Sequence, residues 1–231
     1  MKRRTVLKST ALMIAGAALG GESLARQVDV NVQEDQFLDR IWATFRNRRS
    51  VRKFKPTPIP PEHIRTIVDM ARTAPSSGNQ QPWKFLIIQD RTKLDELKNA
   101  LIEKGMERMR SGGAVTGEKL ETEKKNMTRY FEDYLSAPVA MIVMTDDQSK
   151  YPDYNHHDGP LAAGYLMLAA RFLGYGTVYA TDSINPDVAR KLFHIPERYR
   201  IVCSTPVGIP DRWPDPPSKK PLDDFIVRES F

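Results

Sequence analysis

Apolar residues recur along the chain at two spacings, and the exchange between them lays out the expected elements. Phe37, Ile41, Trp42 and Phe45 stand at helical intervals and predict a helix over Glu34 to Phe45. Behind Pro61, a residue suited to a first helical position, Ile64, Ile67, Val68 and Ala71 repeat at i, i+3, i+4 and i+7. They predict a second helix to about Thr73. Asp90 can cap a third, with Leu94, Leu97 and Leu101 on its apolar face. Gly112, Gly113 and Gly117 interrupt the pattern before a helix over Glu118 to Leu135, which presents Met127, Tyr130, Phe131 and Tyr134. Gly159 to Leu173 is apolar nearly all round, as expected for a helix in the core or at a subunit interface. Asn185 with Pro186 opens a short helix through Phe193. Short apolar runs predict strands at Lys84–Ile88, Pro138–Thr145, Thr177–Thr181 and Arg200–Val207, the second uninterrupted and therefore buried on both faces. Helices and strands mix without strict alternation, which predicts an α+β fold with one central sheet. Beyond Gly208, five prolines from Pro210 to Pro221 predict an extended C-terminal arm, 208–231.

The N-terminus belongs to a different pattern. A basic stretch, Lys2-Arg3-Arg4-Thr5-Val6-Leu7-Lys8, precedes the short apolar run Ala11–Gly20 and the small residues Ser23 and Ala25. That order is the secretory one, the run is too short to span a bilayer, and the paired arginines resemble the twin-arginine export motif. Residues 1–25 are expected to be a signal peptide cleaved after Ala25, leaving 26–231 as one exported, periplasmic domain without a stable membrane anchor. Lys2, Arg3, Arg4 and Lys8 against Glu22 account for half of the formal net charge of +6, so the basic balance says little for a nucleic-acid partner. Cys203 is the sole cysteine, which excludes an internal disulfide, and its apolar setting predicts a buried, inert thiol.

Two segments carry the candidate chemistry. Arg48-Arg49-Ser50-Val51-Arg52-Lys53-Phe54 gathers forked guanidinium donors around a hydroxyl, a composition suited to phosphate. Ala74-Pro75-Ser76-Ser77-Gly78-Asn79-Gln80-Gln81-Pro82-Trp83 sets hydroxyls and amides on a loop between a helix and a strand, where they could meet the polar edge of a heterocycle. His63, His156, His157 and His194 lack zinc-site spacing, so no metal is expected. No glycine-rich dinucleotide or P-loop phosphate motif is present in the sequence.

In their order and spacing these two segments resemble the nitroreductase family, with its R-R-S-x-R-x-F and A-P-S-x-x-N-x-Q-P-W-x-F motifs. Leu173-Gly174-Tyr175-Gly176-Thr177 and the arm Gly208-Ile209-Pro210 … Ser218-Lys219-Lys220-Pro221-Leu222 are also similar to the family's. The resemblance implies a nitroreductase-like three-layer sandwich, its central, mostly antiparallel sheet flanked by helices, in an intertwined homodimer binding FMN at the subunit interface. It implies that Arg48 and Ser50 hold the phosphate and ribityl chain, Arg49 contributes through its backbone, and Arg52 approaches the pyrimidine side of the ring. Asn79 would meet the polar edge, with Pro75, Ser76 and Ser77 supplied by the partner subunit. Tyr179, Ala180 and Thr181 would pass the N5 side, Thr181 touching the reactive atom, and Lys219 stands where the family usually has a phosphate-binding arginine. NAD(P)H would be the electron donor, stacking directly on the flavin, and residues 103–135 the substrate lid.

The expected activity is ping-pong, two-electron reduction of a nitroaromatic, quinone or similar acceptor. Reductive dehalogenation or an oxygen-dependent flavin reaction is the alternative on the same fold, and a non-catalytic exported binding protein is the alternative outside it. Arg48 to Trp83 is especially similar to the iodotyrosine deiodinase branch. The Glu, Tyr and Lys with which that branch grips its substrate align instead with Leu101, Gly105 and Glu132, so its specificity is not expected here.

Overall fold

The computed structural model describes residues 35–112 and 116–230; the predicted export signal lies outside them. The compact unit runs from Ile41 to Phe231, and of the preceding unit the described residues, 35–40, are helical. In chain order the elements are α1 (35–47), α2 (Pro61–Ala71), β1 (Trp83–Ile88), α3 (Arg91–Ser111), α4 (Glu118–Tyr134), β2 (Val139–Asp146), α5 (Asn155–Phe172), α6 (Pro186–Phe193) and β3 (Tyr199–Val207). The predicted caps form: the Asp90 carboxylate accepts from the Thr92 N–H, and the Asn185 side chain from those of Asp187 and Val188.

The sheet has the order β1-β2-β3, with both pairings antiparallel. Central β2 is buried from Val139 to Thr145, as its unbroken apolar run predicts. Alternate strand residues face opposite layers. Ala140, Ile142 and Met144 pack with Leu94, Leu97 and Leu101 of α3, Phe131 and Tyr134 of α4 and Ala189 of α6. Val139, Met141 and Val143 pack with Ile64, Ile67 and Ala71 of α2 and Ala163, Leu166 and Ala170 of α5. Helices thus cover both faces, giving the expected three layers. Two outward-facing residues of α5, Leu161 and Tyr165, remain exposed, as do Trp42 and Phe45 of α1.

Two expectations change. No regular strand forms over Thr177–Thr181. Residues 176–180 instead make single bridges to β3 and the residue that follows it, Ala180 to Ser204 and Gly176 to Gly208, while Ser50 lies parallel to Thr177 on the other side. Between the bridges the Val178 N–H donates to the Thr205 hydroxyl at 3.3 Å, so a side chain replaces the carbonyl that a ladder would use. Helix α5 begins at Asn155 rather than Gly159, with Pro160 inside it. Asn155 and Asp158, both buried, hold this extra turn by hydrogen bonds.

Among the described residues no helix is long and apolar enough to cross a membrane. Cys203 is buried, and burial pushes its thiol up to about 12 from an ordinary 9.0. The folded state therefore disfavours the thiolate, and that contribution to stability is lost as pH rises between these two values. A thiol reagent should leave the native protein unlabelled at pH 8 and label one site after denaturation. Gly176 is a tight junction between two segments: a Cβ there would stand 2.8 Å from Val51 Cβ and 2.9 Å from Pro210 Cγ. Gly176→Ala should destabilise by about 1–3 kcal/mol, read as a lower urea midpoint.

Candidate active site

Residues 48–54 follow α1 as an irregular segment tied down by single bridges at Ser50 and Phe54. Val51 and Phe54 are buried, while Arg52 and Lys53 are exposed. The Val51 N–H donates to the Thr177 carbonyl at 2.9 Å, and the Phe54 N–H to the Ser136 hydroxyl at 3.1 Å. This anchorage turns Arg48, Arg49 and Ser50 toward the C-terminal arm. Together with Pro214, Asp215, Pro217 and Lys219 they line an open cleft of about 290 Å³. Two segments far apart in the chain, both predicted to bind phosphate, therefore meet.

The donor set of this cleft exceeds its acceptors. Arg49 spends one Nη on the carbonyls of Arg46 and Arg48, at 2.7 and 2.9 Å, but its buried Nε has no partner. Asp215 is the one carboxylate among the lining residues. Beside Arg49 stands Arg171 of α5, whose buried Nε also lacks a partner and whose guanidinium stacks 3.9 Å from the Trp213 ring centroid. Burial first, and then the charge of Arg49, holds the Arg171 pKa below its ordinary range. Forked donors without acceptors suit a phosphate group. Arg171 belongs to no motif, and the sequence reading missed it.

The second motif folds as a tight turn. Gly78, Asn79 and Gln81 all have positive φ, and a Cβ at Gly78 would stand 2.5 Å from the Tyr151 ring. What fixes the turn is Asp158, a second residue the sequence did not signal. Its buried carboxylate accepts from the Ser77 N–H at 3.0 Å, the Ser77 hydroxyl at 3.2 Å and the Gln80 amide at 2.7 Å. Gln80 also exchanges hydrogen bonds with the Tyr151 backbone in both directions. The Ser76 hydroxyl accepts from the Gln81 N–H. Ser77 is thus committed to the protein interior, whereas Pro75 and Asn79 remain exposed. The turn is anchored to residues 151–158, and the phosphate-type cleft is built by other elements.

The third predicted segment lies next to the first. Ala180 is buried and exchanges both backbone hydrogen bonds with Ser204, at 3.1 and 2.8 Å, while Tyr179 and Thr181 are exposed. Burial, then proximity to Cys203, raises the Tyr179 pKa, which keeps its hydroxyl neutral. Immediately after Thr181, Asp182 and Ser183 form one wall of an open cavity of about 640 Å³; its other walls include Leu101, Gly105, Met127 and Phe131 of α3 and α4. Gly105 lets these helices approach, since a Cβ there would stand 2.5 Å from Met127 Sδ. Of the three positions aligned with the deiodinase grip, Leu101 is core, Gly105 is a packing contact and Glu132 faces solvent.

The nitroreductase family model matches residues 45–209. The chain is 31% identical over 189 residues to an iodotyrosine deiodinase of Thermotoga neapolitana, covering 81% of this chain and 96% of that protein. A solved structure of oxidized iodotyrosine deiodinase bound to FMN and 3-iodo-L-tyrosine superposes with a TM-score of 0.63 at 29% identity, over 83% of this chain and 99% of that one. An FMN-dependent nitroreductase of Mycobacterium smegmatis, solved in complex with NADPH, shares the fold with a TM-score of 0.67 at 19% identity, over 84% and 99% of the two chains. The Asp158 anchor makes a prediction that does not depend on these likenesses. Asp158→Ala removes the acceptor for three donors and should destabilise by about 2–3 kcal/mol, with early proteolytic cleavage within 76–81.

Proposed function

Because the chain belongs to the nitroreductase family, we propose that it is an FMN-dependent oxidoreductase acting on nitroaromatic, quinone or similar acceptors. One observation carries this reading: Arg48, Arg49, Ser50 and Lys219 converge on a single cleft that holds more donors than acceptors. When bound there, FMN would supply two-electron chemistry at N5, taking hydride from a donor such as NAD(P)H and passing it to the acceptor.

The protein's part is to bind, orient and tune. Arg48 and Ser50 offer a forked donor and a short hydrogen bond to the phosphate, and Lys219 adds charge from the arm without a fork. Arg52, exposed on the same segment, supplies a cation for the pyrimidine side, where it would favour the reduced, anionic ring. Thr181 stands exposed beside the paired Ala180, available to the N5 side. The turn at 75–79, anchored to its own α5, is proposed to complete the site of a partner subunit. The exposed apolar residues of α1 and α5 suit such a homodimer. Export by the twin-arginine route, with the cofactor inserted before transport, and a lid over 103–135 belong to the same proposal.

A second reading, reductive dehalogenation, is favoured by the 31% identity to the deiodinase. It is opposed by the three grip positions, none of which presents a matching side chain to a common site. Stopped-flow reoxidation of the reduced protein by a nitroaromatic, a haloaromatic and oxygen in parallel distinguishes the readings: fastest turnover with the haloaromatic would displace the first.

Flavin titration tests the site itself. The wild-type protein should purify yellow. Arg48→Ala should weaken FMN binding about ten- to a hundredfold through loss of charged hydrogen bonds, and Lys219→Ala should weaken it less. Protein that stays colourless after FMN is added would defeat the proposal.

A further inference from the structure

Thr181 is exposed, yet the residues around it are fixed from two sides, and both attachments lead to α4. Tyr130 and Tyr134 are one turn apart on that helix and share a face. Their rings stack with centroids 5.8 Å apart and planes at 21°. The Tyr134 hydroxyl bonds the Ser204 hydroxyl at 2.9 Å in a buried setting, and Ser204 is the residue whose backbone clasps Ala180. The Tyr130 hydroxyl meets the Ser183 hydroxyl at 2.5 Å, and Ser183 in turn donates to the Asp182 carboxylate at 3.3 Å. With the serine proton directed to Asp182, Tyr130 is the donor to Ser183. Ala180, Ser183 and Ile184 are buried, while Thr181 and Asp182 project between them. The stretch is therefore a two-residue crest held at its base, with one hydroxyl chain at each end.

A tyrosine on the face of α4 toward the core could be serving packing alone. Two features argue for more. The Tyr130 ring already packs against Phe131 and Tyr134, so its hydroxyl is not needed to fill space. That hydroxyl also ends on a chain leading to the residue next to Thr181, rather than on α4 itself. Asp182 and Ser183 moreover wall the cavity whose other sides include α3 and α4, so one short segment touches both that cavity and the proposed N5 position.

We infer that Tyr130 is a positioning residue: through Ser183 and Asp182 its hydroxyl sets the conformation in which Thr181 is presented, and so ties the placement of α4 to the reactivity of the site. The inference rests on the reading of Thr181 as the residue facing the cofactor. It assigns Tyr130 no contact with substrate or flavin.

The test uses the whole protein and compares Tyr130→Phe, which keeps the ring, with Ser183→Ala and the double variant. Amide hydrogen exchange at residues 180–184 is measured with and without FMN, beside the melting temperature and the flavin's two-electron midpoint potential. Each single variant should speed exchange at 180–184 about tenfold while the melting temperature stays within a few degrees. Each should also move the flavin reduction equilibrium about tenfold, which is about 30 mV. The double variant should add little to either single one, because both remove the same link. Ser183→Ala gives the same information should Tyr130→Phe fail to fold. Unchanged exchange at 180–184, or effects of the two variants that simply add, would overturn the inference. So would faster exchange with an unmoved potential, since it would leave Tyr130 a packing residue only. A protein that takes up no FMN would defeat the proposed function instead, and exchange in the flavin-free protein would still show whether Tyr130 restrains the segment.

Discussion

The irregular seam at residues 176–180 is the contact on which the candidate site depends. On one side its backbone pairs with β3 at Ala180–Ser204 and with the residue after β3 at Gly176–Gly208; on the other the Thr177 carbonyl receives the Val51 N–H. Val51 fixes the arginine segment, Gly208 leads into the C-terminal arm, and Ala180 precedes Thr181. Three functional segments from distant parts of the chain are thus registered against one another by a few backbone hydrogen bonds. Their close approach requires Gly176, since any side chain would collide with Val51 and Pro210. A full ladder would be stronger, but it would also straighten the chain just where the site needs a projecting residue.

Much of this was legible in the sequence, for identifiable reasons. Helix positions follow from apolar spacing and from caps such as Asp90 and Asn185, whose preferences are local. Central β2 follows from an apolar run with no polar break. The seam was not legible as an irregular element, because whether Val178 bonds a carbonyl or the Thr205 hydroxyl is decided by tertiary placement. The cleft was half legible: composition marks Arg48, Arg49 and Ser50, the family resemblance adds Lys219, but Arg171 carries no pattern and comes into view only because α5 brings it beside Arg49. Asp158 was hidden for the same reason. Its role is defined by the turn it holds, more than seventy residues earlier in the chain, and nothing in its own neighbourhood announces that partnership.

Charge and fold oppose each other around the cleft. Arg48, Arg49, Arg171 and Lys219 lie close enough to raise the positive potential, and two of the guanidinium groups have desolvated Nε atoms without acceptors. Holding like charges together costs stability, a cost that an anion bound there would offset. A ligand that binds only the folded state stabilises it, by an amount that grows with the logarithm of its concentration relative to Kd. The arm that closes the cleft is largely exposed and rich in proline; contrary to the expectation of a wholly extended segment, it makes a 3-10 turn at Leu222–Phe225, and it has few bonds to the body of the protein among the described residues.

Among those few is the stacking of Trp213 on Arg171. The chain has three tryptophans: Trp83 is sealed in a small apolar cluster, and Trp42 is more than half exposed. Trp213 sits where the arm meets the body of the protein, with the Arg171 guanidinium against its ring, whereas Trp42 lies on α1 with Arg46 5.7 Å from its ring centroid. Its indole is consequently a native optical reporter. Lifting the arm would release the ring from the guanidinium and change its emission, while Trp83, sealed in its cluster, would keep its signal. Any motion of the segment that closes the cleft can therefore be followed by intrinsic fluorescence, without adding a label to the protein.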